Sequence, residues 1–310
     1  MTINMKGKNL VSIDDLSTEE VKQILTNAEL LKIKHYANDK TPVLSGKVLG
    51  MIFQKPSLRT RVSFESGMIQ LGGQAIYLGP DDIKLGQRET TKDIAKVLSR
   101  YVHGIMARTF SHQVILDLAQ YATVPVINGL SDLLHPCQAL GDLLTIQEKK
   151  GNLSNLKLAF IGDGNNVFNS LAFAAVKVGM DITIAAPEGY EPQAEIIEKA
   201  QKDAKKTNSK ISITNDPYEA VKDADVIYTD VWTSMGFEEE KEIRKNAFQP
   251  FQVNQKLVNQ AKEEAIILHC LPAHRGEEIT DEVIDSSQSV VIDQAENRMH
   301  AQNAVLSLLM

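Results

Sequence analysis

Short apolar runs alternate with helical patterns along most of the chain, and this alternation limits the fold more than any other feature. The runs of strand length are KVLGMIF, QAIYL, GIMAR and PVIN, followed by KLAFIGD, DITIAAP, KISIT, VIYTDVW, AIILHC and VVIDQ. Apolar residues at helical spacing separate most of these runs. Strand and helix in turn predict parallel sheets with right-handed crossovers, covered by helices. The sequence therefore predicts an α/β fold.

The strand runs fall into two series, which predicts two Rossmann-like domains with a cleft between them. A length of 310 residues agrees with about two domains, at roughly 150 residues each. The expected join is a helix from about His135 to Lys150, so that the domains cover residues 1–150 and 151–295. We expect a last helix over 296–310 to pack back on the first domain.

Composition excludes several classes of protein. A net charge of -7 argues against nucleic acid as the main partner, because such proteins usually carry a basic surface. No apolar run of about 18 residues occurs, so no membrane span is expected. The first residues lack the apolar segment of a secretory signal, and two cysteines, Cys137 and Cys270, fit a reducing cytoplasm. No Cys and His spacing indicates a metal site.

Polar or reactive side chains follow the ends of the predicted strands again and again. In open α/β sheets, ligands bind beyond the carboxyl ends of the strands. A structural protein has no need of this repetition, so the pattern favours an active site in the cleft. The residues concerned are Ser57, Arg59, Thr60, Arg61, Arg108, Asn128, Asp163, Asn166, Asp230 and Cys270.

The segment PSLRTR follows the strand that ends at Phe53 and opens a helix. Ser57 can cap that helix, whose free amides attract anions. Arg59 adds a bidentate donor and Thr60 a hydroxyl, so phosphate is the ligand that this turn would be expected to bind. A capped helix with exposed arginines explains the same residues, and spacing alone leaves both interpretations open.

The segment HPCQ opens another predicted helix, with Pro136 suited to its first position. His135 and Gln138 lie three residues apart and share one face, where they could bond a carbonyl or an amide of a substrate. A helix cap or a surface group is the alternative. In HCLP, Cys270 could be a small buried residue, a nucleophile or a substrate contact.

Two further loops carry polar groups. GDGNN departs from the dinucleotide pattern GxGxxG, and its asparagines could instead hold a carboxylate or an ammonium group. DVWTSMG sets a carboxylate, Asp230, before a short flexible stretch. That arrangement fits either an acidic loop or a cation-binding carboxylate with a closing lid over the substrate.

Together these segments resemble the aspartate/ornithine carbamoyltransferase family over essentially the whole chain. SLRTR and HPCQ are similar to motifs shared across that family, whereas DVWTSMG and HCLPAHRG look like its ornithine-using branch. The resemblance implies two α/β domains around a cleft, a homotrimer or a multiple of trimers, and no metal or nucleotide cofactor. It implies carbamoyl phosphate and L-ornithine as substrates, with direct attack of the side-chain amine giving L-citrulline and phosphate.

The resemblance also implies roles by position. The residues expected to contact carbamoyl phosphate are Ser57, Leu58, Arg59, Thr60, Lys84, Arg108, His135, Gln138, Cys270, Leu271 and Arg298. Those expected on the ornithine side are Asn128, Asn166, Asp230, Ser234 and Met235. Arg108, His135, Asp230 and Cys270 are the expected catalytic residues.

Two positions depart from the family pattern. Leu58 replaces a Thr, which removes a hydroxyl but keeps the backbone amide. Lys84 stands where the ornithine branch often has Gln, at a position that can reach a neighbouring subunit. Putrescine, N-acetylornithine or aspartate are alternative acceptors, although Ser-Met-Gly after Asp230 favours an amino acid with a free α-amine. A binding module without catalysis, or a nucleotide-binding oxidoreductase that uses GDGNN, is the alternative of a different class.

Overall fold

A computed structural model describes residues 2–40, 42–85, 88–233 and 238–310. By its internal contacts the chain forms two compact units. One contains residues up to Leu144 together with Arg298–Met310, and the other is Thr145–Asn297. Each unit contains a parallel sheet flanked by helices, so the predicted α/β fold is confirmed.

The first unit contains a four-stranded sheet in the order β2-β1-β3-β4. Its central strands are buried on both faces, which explains why their sequences are continuous apolar runs. Its elements are α1 (Thr18–Tyr36), β1 (Val48–Phe53), α2 (Leu58–Gln70), β2 (Gln74–Leu78), α3 (Pro80–Ile83), α4 (Thr91–Leu98), β3 (Gly104–Arg108), α5 (His112–Tyr121), β4 (Val126–Leu130) and α6 (Pro136–Lys150), whose last residues belong to the second unit.

The second unit contains a five-stranded parallel sheet in the order β7-β6-β5-β8-β9. Its elements are β5 (Lys157–Ile161), α7 (Asn166–Lys177), β6 (Asp181–Ala185), α8 (Ala194–Thr207), β7 (Ile211–Thr214), α9 (Pro217–Val221), β8 (Val226–Thr229), α10 (Lys241–Phe248), α11 (Gln255–Val258), β9 (Ile266–His269), α12 (Asp281–Ile284) and α13 (Val291–Leu309). α13 starts in this unit and ends in the first. None of the helices within the described ranges is both long and apolar enough to cross a membrane.

Strand register brings the polar strand ends to the same level within each sheet. In the first sheet Phe53 pairs with Arg108, so the turn before α2 begins beside the end of β3. In the second sheet Thr229 pairs with both Ile161 and His269. The residues that follow these three strands therefore leave one edge of the sheet together.

The run VVIDQ was predicted to be a strand, and that prediction is wrong. Ile267 in β9 donates to the carbonyl of Gln288, and Val290 donates back to the carbonyl of Ile267, at 2.9 and 3.0 Å. The chain thus follows β9 only up to Val290. The amide of Gln294 then donates to the carbonyl of Val290 at 2.9 Å, which starts the helical pattern, and α13 begins at Val291 rather than near Glu296. A short apolar run fits a strand or one helical turn equally well.

Candidate active site

The segment SLRTR forms the start of α2, directly after β1. Ser57 is the N-cap, and its Oγ accepts from the amide of Thr60 at 3.4 Å. Leu58 is exposed and Arg59 is half-buried, whereas Thr60 is fully buried. Arg61 turns to the surface, where its guanidinium lies over the ring of Tyr77 and its Nε donates to a carboxylate one turn along α2. The helix start thus offers free amides, a hydroxyl and one nearby arginine.

Thr60 is the centre of a cluster of donors in the first unit. Its Oγ1 accepts from Arg298 Nη2 at 2.6 Å, from Ser57 Oγ at 3.1 Å and from Arg108 Nη1 at 3.4 Å. Two guanidinium groups thus converge on one neutral oxygen. Like charges held this close favour an anion beside them, and the N-terminus of α2 adds its own partial positive charge.

His135 and Gln138 extend this cluster from the start of α6, and both are buried. Burial lowers the pKa of His135 well below 6.5, and the charges of Arg298 and Arg108 lower it further. The imidazole is therefore neutral at pH 7. Gln138 Oε1 accepts from Arg298 Nη1 at 3.2 Å, while its Nε2 donates to Asp142 at 2.8 Å, which fixes the orientation of the amide.

Two other predicted residues of the first unit lie apart from these bonds. Asn128 is buried in β4, and its Nδ2 donates to the carbonyl of Val11 at 3.1 Å. Lys84 is exposed at the end of α3, in a left-handed conformation with φ of 42°. Among the described residues, no hydrogen bond or ion pair joins Lys84 to the Thr60 cluster.

A second cluster lies at the strand ends of the second unit, around Asp230. Asp230 follows β8 and is buried. Its Oδ1 accepts from Cys270 Sγ at 3.0 Å, and its Oδ2 accepts from Asn165 Nδ2 at 2.9 Å. The structure thus brings together Asp230 and Cys270, which the sequence analysis assigned to the site from their positions after two strands and from the family resemblance.

Asn165 is one of the two asparagines of GDGNN that the sequence analysis considered as ligands, although only Asn166 was assigned to the ornithine side, and it donates to Asp230. It is the N-cap of α7, with its Oδ1 accepting from the amides of Val167 and Phe168 at 3.0 and 3.2 Å. Asn166, which was singled out, is the half-buried first residue of that helix. The preference for Asn at N-caps is the signal that distinguishes these two asparagines.

His269 also escaped the sequence analysis, although it belongs to the HCLP segment. His269 and Glu278 are completely buried, with Nε2 and Oε1 3.0 Å apart. Nδ1 of His269 accepts from the amide of Leu271 at 2.9 Å, so the ring proton must lie on Nε2 and donate to Glu278. This bond holds Leu271 in a left-handed conformation, with φ of 56°, directly after Cys270.

Potential metal ligands occur in the same place. One atom each of Asp230, His269 and Cys270 lie within 4.8 Å of one another, a spacing that a divalent cation could bridge. In the structure the sulfur of Cys270 donates to Asp230. Both ring nitrogens of His269 also have protein partners. The predicted contacts Ser234 and Met235 lie outside the described residues.

The chain matches two family models along nearly its whole length. The model of the aspartate/ornithine carbamoyltransferase carbamoyl-P binding domain covers residues 8–148, and the model of the Asp/Orn binding domain covers residues 154–309. An ornithine carbamoyltransferase of Thermococcus kodakarensis is 55% identical over 310 residues, which are 100% of this chain and 98% of the relative. An anabolic ornithine carbamoyltransferase of Pyrococcus furiosus is 54% identical over 310 residues, with the same coverage.

Solved structures agree with these matches. The ornithine carbamoyltransferase from Pyrococcus furiosus superposes with a TM-score of 0.98 at 54% identity, covering 100% of this chain and 99% of the other. The enzyme of the same name from Gloeobacter violaceus gives a TM-score of 0.88 at 46% identity, covering 98% and 99%. Sequence and fold therefore point to one family.

Proposed function

This chain belongs to the aspartate/ornithine carbamoyltransferase family, and from that premise we propose that it is an ornithine carbamoyltransferase. It transfers the carbamoyl group of carbamoyl phosphate to the side-chain amine of L-ornithine, giving L-citrulline and phosphate. The observation that carries the proposal is the convergence of Arg108 and Arg298 on Thr60, beside the neutral imidazole of His135. These groups suit a small phosphorylated acyl donor.

The first unit binds carbamoyl phosphate. The phosphate group of this substrate accepts hydrogen bonds from the amides at the start of α2, including that of Leu58, and from Ser57 and Arg59. Arg108 and Arg298 neutralise its charge within a chain whose net charge is -7. The carbonyl oxygen accepts from Thr60, Arg108 and His135, and Gln138 holds the amide end of the carbamoyl group.

Charge on the carbonyl oxygen grows as the tetrahedral intermediate forms. Donors that already point at that oxygen stabilise the intermediate without reorganising, and losing one such donor typically costs about a hundredfold or more in rate. His135 acts here as a hydrogen-bond donor and not as an acid, because its imidazole is already neutral. We also assign contacts with the carbamoyl group to Leu271 and Cys270.

The second unit binds ornithine, with Asp230 and Cys270 orienting its side-chain amine. Asn128, Asn166, Ser234 and Met235 are the further residues that we assign to ornithine binding. A free alkyl amine has a pKa of about 10.4, so only a small fraction is unprotonated at pH 7. The neutral nitrogen attacks the carbamoyl carbon, the bond to the phosphate oxygen breaks, and the leaving phosphate takes the proton. The thiol of Cys270 donates to Asp230, which supports direct attack without a covalent cysteine intermediate.

We infer a homotrimer, or a multiple of trimers, with Lys84 directed to the site of a neighbouring subunit. Support comes from apolar side chains on α2 and the adjoining edge strand β2: Leu58, Val62, Ile69 and Ile76 are 76, 48, 71 and 49% exposed. Light scattering of the purified protein tests this inference, with an expected mass three times that of a 34.3 kDa chain. A monomer would contradict it. Free cysteines support a cytoplasmic location.

Citrulline formation from carbamoyl phosphate and L-ornithine tests the proposed reaction directly. Putrescine, N-acetylornithine and aspartate serve as parallel acceptors. We expect ornithine to give the highest kcat/KM, and Arg59→Ala to raise the KM for carbamoyl phosphate more than the KM for ornithine. Preference for another amine would reassign the acceptor, and no product with any amine would contradict the function.

A further inference from the structure

Arg244 on α10 connects several elements around the Asp230 cluster. Its Nη1 donates to Asp163 Oδ2 at 2.8 Å and to the carbonyl of Trp232 at 3.2 Å, and its Nε donates to Glu240 Oε2 at 2.9 Å. The guanidinium carbon also lies 5.0 Å from the ring centre of Tyr190. Only 5% of Arg244 is exposed, so its planar head is held on several sides.

Two of these partners, Asp163 and Trp232, connect Arg244 to Asp230. Asp163 begins the turn between β5 and α7, and its carbonyl accepts from the amide of Asn165 at 2.7 Å. Asn165 in turn donates to Asp230 at 2.9 Å. Trp232 lies two residues after Asp230 in the chain. A single guanidinium therefore restrains Asp230 both from the turn that holds its side chain and from its own backbone.

Stability alone is a poor explanation for this arrangement. Burial raises the pKa of Asp163 to about 6, although Arg244 opposes the rise, so the carboxylate is costly to keep charged. Buried ion pairs often contribute little net stability, because the loss of hydration offsets their attraction. What the pair does supply is geometry, since a planar guanidinium with several bonded partners has one orientation.

We propose that Arg244 is a positioning residue for the ornithine amine, acting through Asp163 and Trp232 on the carboxylate of Asp230. The inference rests on the proposed function, because that function assigns the amine to Asp230. Loss of Arg244 removes no side chain that contacts a substrate, but it releases Asp230 from its supports. Small misplacements of a reacting group can cost about a hundredfold in rate.

The pair formed by Lys177 and Asp203 offers a matched control in the same unit. Its Nζ and Oδ2 atoms are 2.6 Å apart, and the two side chains are 7% and 11% exposed, against 6% and 11% for Arg244 and Asp163. Lys177 ends α7, roughly 16 Å along the helix from its first residue at 1.5 Å per residue. Lys177→Met therefore removes a comparable buried cation far from Asp230.

The experiment compares Arg244→Leu, Arg244→Lys and Lys177→Met by steady-state kinetics of the full chain and by thermal denaturation. We expect Arg244→Leu to raise the KM for ornithine at least tenfold and to leave the KM for carbamoyl phosphate within about threefold. Arg244→Lys keeps the positive charge but loses the planar guanidinium, so its KM for ornithine should lie between those of Arg244→Leu and wild type. Lys177→Met should lower the thermal midpoint and leave both KM values within about twofold of wild type.

An unchanged KM for ornithine in Arg244→Leu would overturn the inference, as would an equal rise in Lys177→Met. If Arg244→Leu does not fold, Arg244→Lys and Asp163→Asn decide by the same criterion, because each keeps most of the volume at its position. Wild-type protein that makes no citrulline would refute the proposed function instead. Active wild-type protein with kinetically normal Arg244 variants would refute this inference alone.

Discussion

Replacing Thr60 by Val removes one hydroxyl and leaves the branched shape of the side chain. That hydroxyl accepts from Arg298 at 2.6 Å and lies 3.4 Å from Arg108. In the proposed function the hydroxyl also donates to the carbamoyl group. A hydrogen bond that involves a charged group is worth about 1.5–3 kcal/mol. At about 1.4 kcal/mol for each factor of ten, Thr60→Val should lower kcat/KM for carbamoyl phosphate by about 12- to 140-fold.

The assay is citrulline formation at saturating ornithine, with carbamoyl phosphate varied. Thr60→Ser is the matched control, because it keeps the hydroxyl and loses only a methyl group, and it should stay within about fivefold of wild type. If Thr60→Val were as active as wild type, the convergence of two arginines on this oxygen would have no part in donor binding. A larger loss in Thr60→Ser than in Thr60→Val would refute the reasoning as well, since the methyl group would then matter more than the hydroxyl.

Three further predictions follow from burial and packing. A Cβ on Gly141 would lie 2.8 Å from Arg298 Cα, so Gly141→Ala should force α6 and α13 apart. The overpacking should lower the free energy of unfolding by about 1–3 kcal/mol. The higher helix propensity of Ala offsets about 1 kcal/mol of that loss. A lower thermal midpoint and a higher KM for carbamoyl phosphate are expected, and normal values of both would contradict the packing. Iodoacetamide at pH 8 should modify the half-buried Cys270 and spare the buried Cys137, because burial raises the pKa of the Cys137 thiol to about 12. Equal labelling of the two cysteines in peptide mass spectrometry would contradict this prediction. Burial raises the pKa of Asp163 from 3.8 to about 6, so the folded chain binds that proton more tightly than the unfolded chain, and stability falls as pH rises from about 4 to 6. The free energy of unfolding of wild type should therefore fall relative to that of Asp163→Asn over this range, by at most about 3 kcal/mol, and the thermal midpoint should fall with it. A difference between the two proteins that stays constant with pH would count against the shift.

The strands and their polar ends were predictable because they depend on local patterns. An apolar run of strand length followed by a polar residue indicates both a buried parallel strand and a position at the edge of the sheet. The same rule failed for VVIDQ, whose apolar residues form the first turn of α13. A buried strand and a buried first helical turn are alike in length and composition. Only the pairing of Ile267 with Gln288 and Val290, which ends before α13 begins, distinguishes the turn from a strand.

Contacts between distant residues were beyond a sequence pattern. Arg298 reaches Thr60 across 238 residues, and Arg244 reaches Asp163 across 81. No local spacing marks either arginine, and Arg298 entered the expected site only through the family resemblance. Asn165 carries a local signal, because Asn is preferred at the residue just before a helix and this position is the N-cap of α7.

The separation of Thr60 from Arg298 bears on how the protein acquires activity during folding. Closing so long a loop costs more chain entropy than forming any contact within α2, and contacts between distant residues form slowly. A refolding chain should regain circular dichroism from its helices before it can hold carbamoyl phosphate. The donor substrate is thus a probe for completed molecules, since it distinguishes them from collapsed chains that already have native secondary structure.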